Sequence, residues 1–160
     1  VGEICVQGYC NMIEYHANTQ ASAEAIDKQG WLHTGDLGTM DSRGYVGVTG
    51  RVKEMIIRGG ENMFPAEIEN VLLEHPSVLE VAVVGLPDDK WGEIVACFVR
   101  AATVEAIDPQ DLHTHCRQNM SPQKTPALWF QVEAFPLTGS GKIRKFELRD
   151  RYLAGEYESL

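Results

Sequence analysis

Two apolar runs with a short polar connection between them constrain the fold of this chain most strongly. The first is SVLEVAVVGL, residues 77–86, and the second is EIVACFVR, residues 93–100, with PDDKWG between them. Continuous apolar runs of this length, bounded by turn residues and rich in valine and isoleucine, are typical of buried strands. We therefore predict two buried strands joined by a short connection.

A helix is predicted directly before these strands. Pro65 suits the first position of a helix, where its missing N–H is not needed. Glu67 and Glu69 are expected in the first turn, where the helix dipole favours acidic side chains. Apolar residues then follow at helical spacing, and the His75-Pro76 pair ends the element.

Further elements alternate after the strands. Asp108 is predicted to cap a helix that has Pro109 in its first position. A strand is expected within residues 127–135, and a last helix within residues 145–153. Strands mixed with helices on irregular connections predict an α+β fold.

The first fifty residues have a different character. A strand is predicted in GEICVQG, residues 2–8, and a short helix near residues 20–27, with Thr19 as its cap. Residues 41–44 form a predicted turn between two further strands. Three strands and one short helix cannot close a hydrophobic core by themselves. We therefore place a domain boundary between residues 52 and 53 and expect residues 1–52 to be the edge of a larger domain.

Composition excludes several classes of function. The net charge of −9 disfavours nucleic acid, and the apolar runs are too short to cross a membrane. The histidines have no companions at metal-ligand spacing, so we expect no metal site. No cysteine belongs to a CxxC pair, and this favours free thiols in a cytoplasmic protein. The chain begins at Val1 and its first methionine is Met12, so we expect a piece of a longer protein.

Three stretches carry candidate chemistry, and each has a plain structural alternative. In PLTGSGKIRK, residues 136–145, Lys142 follows two glycines and can bring a cation to a phosphate or an oxyanion. The stretch fails the P-loop pattern, because Ile143 follows the lysine. An ordinary solvent-exposed lysine is the alternative.

The other two stretches lie earlier in the chain. In GWLHTGDLG, Asp36 is expected in a tight turn between glycines, with its carboxylate free to accept ribose hydroxyls or to cap its own backbone. In GRVKEMIIRGGENMFP, Arg51 lies at the predicted boundary. The Gly59-Gly60 pair permits close approach of an extended ligand, although it also fits a plain hairpin turn.

Together and in this order, the three stretches resemble the C-terminal motifs of the adenylate-forming enzymes, which include acyl-CoA synthetases, peptide-synthetase adenylation domains and luciferases. GEICVQGYCNMIEYH at the start looks like the strand motif that precedes them. IIRGGENMFPAEIE is similar to the acyl-CoA synthetase branch. The resemblance implies a small C-terminal, α/β-sandwich-like lid domain over residues 53–160, preceded by the last strands of a large N-terminal domain.

The resemblance also implies roles for individual residues. Lys142 would be the catalytic lysine of adenylation, and Asp36 with help from Arg51 would hold the ribose of ATP. Lys53 would be the hinge about which the lid domain rotates between two half-reactions. The loop that contains Gly59, Gly60 and Glu61 would line the CoA tunnel. Further candidates for CoA are Trp91, in KWGE, and the basic groups Arg58, Lys90 and Lys124.

The expected reaction joins a fatty or similar carboxylic acid to CoA with ATP, releasing AMP and pyrophosphate. Mg²⁺ is expected to accompany ATP. The phosphate loop and the acyl pocket belong to the large N-terminal region of such enzymes, so we expect this chain alone to be inactive. Two alternatives stay open, namely an adenylation domain that loads a carrier protein and a non-catalytic interaction module. A homo-oligomer is also possible on the sequence.

Overall fold

The computed structural model describes residues 1–103 and 106–160. The described residues divide into two compact units, Val1–Lys53 and Glu54–Leu160. This division falls one residue after the boundary that the sequence predicts. In the described part of the chain, no helix is long and apolar enough to cross a bilayer.

The first unit is a three-stranded antiparallel sheet with one short helix. Its elements are β1 (Gly2–Val6), α1 (Thr19–Ala25), β2 (Leu32–Met40) and β3 (Val46–Arg51), and the sheet order is β1-β2-β3. The predicted cap of α1 is wrong, because Asn18 takes that place and its side chain accepts a hydrogen bond from the Ala21 N–H. Thr19 is the first helical residue.

The second unit is built on a five-stranded sheet. After a 3₁₀ turn (Val52–Glu54), its elements are β4 (Ile56–Arg58), β5 (Glu61–Met63), α2 (Pro65–Leu73), β6 (Val78–Asp88), β7 (Gly92–Ala101), α3 (Pro109–Asn119), β8 (Leu128–Gln131) and α4 (Lys145–Leu153). The order β5-β4-β7-β6 is antiparallel, and β8 adds to β7 in parallel. The long β6–β7 hairpin confirms the two predicted buried strands.

Alternate residues of β6 and β7 face two separate hydrophobic clusters, because successive side chains of a strand point to opposite faces. One cluster joins Val83 and Cys97 to residues of α2 and α3, and the other joins Ala82 and Phe98 to Leu148 of α4. Helices therefore cover both faces, which confirms the predicted sandwich-like α+β fold. Among residues 1–103 and 106–160, every buried apolar side chain of this core lies in the second unit.

The helix starts agree with the sequence in most details. Pro65 and Pro109 lie in the first turns of α2 and α3, and the Asp108 carboxylate accepts a hydrogen bond from the Gln110 N–H. The first turn of α2 contains Glu67 but not Glu69. The expectation for Glu69 is wrong because a turn holds only about 3.6 residues, so Glu69, the fifth residue of α2, lies in the second turn.

Candidate functional site

Lys142 lies on an exposed turn that is closed by hydrogen bonds. An isolated β-bridge pairs Leu137 with Ile143, and the Thr138 N–H donates to the Lys142 carbonyl over 2.8 Å. Gly141 has a φ of +81°, which a residue with a Cβ adopts only at a cost. The turn therefore has a defined conformation, with the Lys142 side chain exposed to solvent.

Thr138 organises this turn, and the sequence alone gave no reason to single it out. Its Oγ1 accepts a hydrogen bond from the Lys142 N–H over 3.0 Å and lies 3.0 Å from the Ser140 Oγ. At the base of the turn, the Arg144 N–H donates to the Pro136 carbonyl over 2.8 Å. The backbone of Lys142 is thus held on both sides while its ammonium group is left accessible.

Asp36 and Arg51 form a pair across two strands of the first unit. They are opposite residues of β2 and β3, and the Arg51 Nε donates to the Asp36 Oδ1 over 3.1 Å. The predicted tight turn is wrong, since Asp36 lies inside β2. The reason is that Gly35, with a φ of +74°, bends the strand without ending it. The structure nevertheless brings the two predicted nucleotide-binding residues together.

Glu3 and His33 support the backbone next to Asp36. The carboxylate of Glu3 is 2.8 Å from the His33 Nδ1, and its other oxygen accepts a hydrogen bond from the Gly35 N–H over 3.0 Å. The hydrogen bond with His33 lowers the pKa of Glu3, and the same bond raises the pKa of His33. These contacts fix the bend at which Asp36 is presented.

The same cluster brings His33 close to two further side chains, although the sequence offers it no companion at metal-ligand spacing. The Cys5 Sγ is 3.6 Å from the His33 Nδ1, and donor atoms of Glu3, Cys5 and His33 all lie within 4.8 Å of one another. Burial raises the pKa of the Cys5 thiol. The grouping was invisible in the sequence because β1 and β2 are brought together only by strand pairing.

The Gly59-Gly60 pair forms the hairpin turn between β4 and β5, and both glycines have positive φ, +59° and +85°. Such a two-residue turn with two left-handed residues matches the twist of a β-hairpin. The Gly59 N–H donates to the Trp91 carbonyl over 2.8 Å. A Cβ at Gly59 would lie 2.9 Å from the Trp91 Cε3, which leaves no room for a side chain. Glu61 follows the turn and is exposed.

Two basic groups lie against the Trp91 ring, one from its neighbour in sequence and one from β4. The Arg58 guanidinium is 4.9 Å from the centre of the Trp91 ring, and the Lys90 Nζ is 4.8 Å from it. Cations at this distance from an aromatic ring are attracted to it. The third basic candidate, Lys124, pairs instead with Glu67. Arg58 and Lys90 therefore form a small basic patch around an indole that is 40% exposed.

Lys53 lies exposed in the 3₁₀ turn Val52–Glu54, at the point where the chain divides into its two units. A short turn at such a division is the kind of segment in which hinges occur. Each unit contains some of the candidate site residues. Asp36 and Arg51 lie in the first unit, and the Lys142 turn and the Gly59-Gly60 turn lie in the second.

Residues 67–142 match the family described as the AMP-binding enzyme C-terminal domain. The match lies within the second unit, whose fold is that of the small C-terminal domain of adenylate-forming enzymes. The resemblance inferred from the three stretches is thereby confirmed.

Relatives and solved structures agree with this assignment. The chain is 43% identical over 150 residues to the human medium-chain acyl-CoA ligase ACSF2, which is mitochondrial; the match covers 94% of this chain and 24% of the relative. It is 45% identical over 152 residues to the fatty acid–[acyl-carrier-protein] ligase ScoC of Streptomyces coeruleorubidus, covering 95% of this chain and 29% of that one. The chain thus spans about a quarter of the length of these relatives.

The fold is also that of a solved CoA synthetase. The chain superimposes with a TM-score of 0.86 and 36% identity on the o-succinylbenzoate CoA synthetase MenE of Bacillus subtilis, in complex with an acyl-adenylate intermediate. The match covers 93% of this chain and 30% of that structure. The similarity spans both units, since only a small part of the chain lies outside it.

Proposed function

We propose that this chain is the C-terminal part of an ATP-dependent acyl-CoA synthetase. The enzyme would convert a fatty or similar carboxylic acid, ATP and CoA into acyl-CoA, AMP and pyrophosphate. The observation that carries the proposal is the presence of two different exposed turns on one AMP-binding enzyme C-terminal domain. One turn presents the Lys142 cation, and the other presents the bare backbone of Gly59 and Gly60 beside Trp91.

In the first half-reaction, a carboxylate oxygen of the acid attacks the α-phosphorus of ATP and pyrophosphate leaves. Negative charge develops between the carboxylate and the phosphate, and the Lys142 ammonium is the group that we propose stabilises it. Asp36 would accept hydrogen bonds from the ribose hydroxyls, with Arg51 keeping its carboxylate in place over 3.1 Å. Mg²⁺ would arrive with the ATP phosphates.

In the second half-reaction, the thiol of CoA attacks the acyl carbon and AMP leaves. A backbone without side chains at Gly59 and Gly60 allows the narrow pantetheine arm to pass close to the turn. Glu61, the next residue, would also line the path of the pantetheine arm. The Trp91 face and the adjacent Arg58 and Lys90 cations are suited to the nucleotide end of CoA, where an aromatic surface and positive charge match an adenine and a phosphate.

The closed geometry of the Lys142 turn bears on how the two half-reactions alternate. Because hydrogen bonds between Thr138 and Lys142, and from the Arg144 N–H to the Pro136 carbonyl, hold the turn, we propose that Lys142 leaves the reacting centre by moving with its whole domain. Lys53 would be the hinge of this rotation. After rotation, the Gly59-Gly60 turn would replace the Lys142 turn at the reacting centre.

Loading of a carrier protein is a second candidate for the thiol-accepting step. It is favoured by the 45% identity to ScoC, a relative whose name describes a ligase of fatty acid and acyl carrier protein. A carrier lacks the adenosine 3′-phosphate of free CoA. Replacing Arg58 and Lys90 with glutamine should raise the KM for free CoA if CoA is the acceptor, and it should leave transfer to a carrier unchanged if a carrier is.

The decisive experiment is Lys142→Ala in the full-length protein that carries this chain, with the two half-reactions measured separately. The rate of acyl-adenylate formation, measured by ATP–pyrophosphate exchange, should fall about 10²- to 10³-fold, as expected for the loss of one group that stabilises the transition state. Thioester formation from supplied acyl-adenylate should persist. Lys28→Ala, which changes an exposed lysine of the first unit, is the control. Equal loss of both half-reactions, or of neither, would contradict the proposal.

A further inference from the structure

Lys145 is a lysine with little exposure that lies between two carboxylates of the second unit. Its Nζ is 3.0 Å from the Glu54 Oε2 and 2.7 Å from the Glu69 Oε1. The side chain of Lys145 is only 19% exposed, and that of Glu69 only 16%. Charged side chains are rarely withdrawn from water to this degree unless they are paired, so the three groups form one connected cluster.

Glu69 fixes this cluster to the five-stranded sheet. The same Oε1 atom that meets Lys145 accepts a hydrogen bond of 2.7 Å from the Val83 N–H of β6. Because Glu69 is itself a residue of α2, its carboxylate joins α2 to β6, an edge strand of the five-stranded sheet. The Lys145 ammonium is therefore held against a rigid part of the second unit, unlike a cation on a solvated helix face.

The two ends of the cluster lie next to functional segments. Lys145 is the first residue of α4 and comes three residues after Lys142, directly behind the hydrogen bond from Arg144 to Pro136 that closes the turn. Glu54 is the first residue of the second unit and directly follows Lys53. The cluster thus connects the base of the Lys142 turn with the chain segment that enters the second unit.

We propose that Lys145 is a positioning residue that fixes the Lys142 turn to Glu54 and Glu69. The inference rests on the proposed function. It adds that the contact of Lys145 with Glu54 and Glu69 makes the Lys142 turn move together with the rest of the domain when the domain rotates. An ammonium group has three donors and no preferred plane, so it can meet carboxylates from two directions. Without this contact the turn could keep its own hydrogen bonds and still move relative to the sheet.

The proposal predicts an unequal effect on the two half-reactions. Lys145→Met keeps the length of the side chain and removes its charge. Acyl-adenylate formation by the full-length protein should fall by roughly 10- to 100-fold, since a misplacement of about 1 Å can cost this much. Thioester formation from supplied acyl-adenylate depends on the Gly59-Gly60 turn and should be unchanged. Lys145→Arg, which keeps the charge, should restore most of the adenylation rate.

A second variant keeps the test valid if Lys145→Met does not fold. Glu54→Gln removes one end of the cluster and leaves the Lys145–Glu69 pair intact, so the folded state should survive. It should slow adenylation selectively but less than Lys145→Met does. If the two residues act through one contact, the double variant should be no slower than Lys145→Met alone. Asp150→Asn, on the same helix and exposed, is the control and should change neither half-reaction.

The outcomes separate this inference from the proposed function. If Lys142→Ala abolishes adenylation but Lys145→Met and Glu54→Gln leave the ratio of the two half-reactions unchanged, only the positioning role is wrong. Equal slowing of both half-reactions by Lys145→Met, together with a lower melting temperature, would likewise mean a general structural role. If Lys142→Ala itself spares adenylation, the proposed function fails.

Discussion

Two exposed turns of the second unit invite comparison, because both contain two glycines and yet they are built for opposite purposes. In the Lys142 turn, hydrogen bonds between Thr138 and the Lys142 backbone hold the turn so that one long side chain is presented. In the Gly59-Gly60 turn, side chains are absent, and the neighbouring indole of Trp91 fills the space where a Cβ would lie. One turn presents a charge, and the other presents a backbone without side chains.

The comparison shows that glycine has a different meaning in each turn. Gly139 has no neighbouring atom within 4 Å of a hypothetical Cβ, and Gly141 is needed for its left-handed φ alone. Gly59 is required twice over, by its φ and by the closeness of Trp91. A glycine-rich sequence therefore does not by itself indicate a mobile loop.

The largest effect expected from a change in these turns is that of Gly59→Ala. The left-handed conformation should cost about 1–2 kcal/mol for a residue with a Cβ, and the Cβ would also displace the Trp91 ring. The rate of thioester formation should fall more than the rate of adenylation, and the tryptophan fluorescence should change. The matched variant is Gly60→Ala, where the φ is also positive but the space is open. Equal effects of the two substitutions would mean that contact with Trp91 is unimportant.

Thr138→Val should have a smaller and opposite effect. It keeps the shape of the side chain and removes the oxygen that accepts from the Lys142 N–H. Loss of one hydrogen bond of about 0.5–1.5 kcal/mol should slow adenylation roughly 2- to 10-fold and spare thioester formation. Ser140→Ala, which changes the other hydroxyl of the turn, serves for comparison and should have less effect. A slower second half-reaction in Thr138→Val would show that the two turns are not independent.

Trp91→Leu tests whether the indole beside the Gly59-Gly60 turn contributes to CoA binding. The substitution removes the ring that attracts Arg58 and Lys90, so these two cations should no longer be held together. We expect a rise in the KM for CoA of roughly two- to fivefold, the size of an exposed cation–π contribution. Adenylation rates should stay the same. An unchanged KM for CoA would remove Trp91 from the proposed CoA surface.

The smallest effect concerns the first unit, which lies outside both turns. The hydrogen bond with Glu3 raises the pKa of His33 in the folded state. The protonated His33 therefore stabilises the fold fully at pH values below 6.5, the ordinary pKa of histidine, and this stabilisation is lost as the pH rises through the raised pKa. The pKa of Glu3 is lowered, so its contribution is present above 4.5 and lost as pH falls through the lowered pKa. Following the His33 ring by NMR across this range should show a raised midpoint, and Glu3→Gln should return it towards 6.5. A midpoint unchanged by Glu3→Gln would mean that the two groups are not coupled.

Local sequence signals predicted the elements well. Pro65 marks the start of α2, Asp108 caps α3, and the two apolar runs form the central hairpin. These signals act over a few residues, through backbone hydrogen bonds and the alternation of side chains along a strand. They failed where neighbours compete for the same role, as when Asn18 takes the cap position in place of Thr19.

The candidate site divides in the same way. The order of the three stretches along the chain was enough to indicate the family, and it made Lys142, Asp36, Arg51 and the Gly59-Gly60 pair candidates for the site. The resemblance already implied that Arg51 assists Asp36, but tertiary structure alone decided that the Arg51 Nε donates to the Asp36 carboxylate. It also decided that Trp91 lies against Gly59 and that Glu69 meets Lys145. These partners are separated by 15 to 76 positions in the sequence, so their meeting depends on strand register and helix packing, which no local pattern specifies.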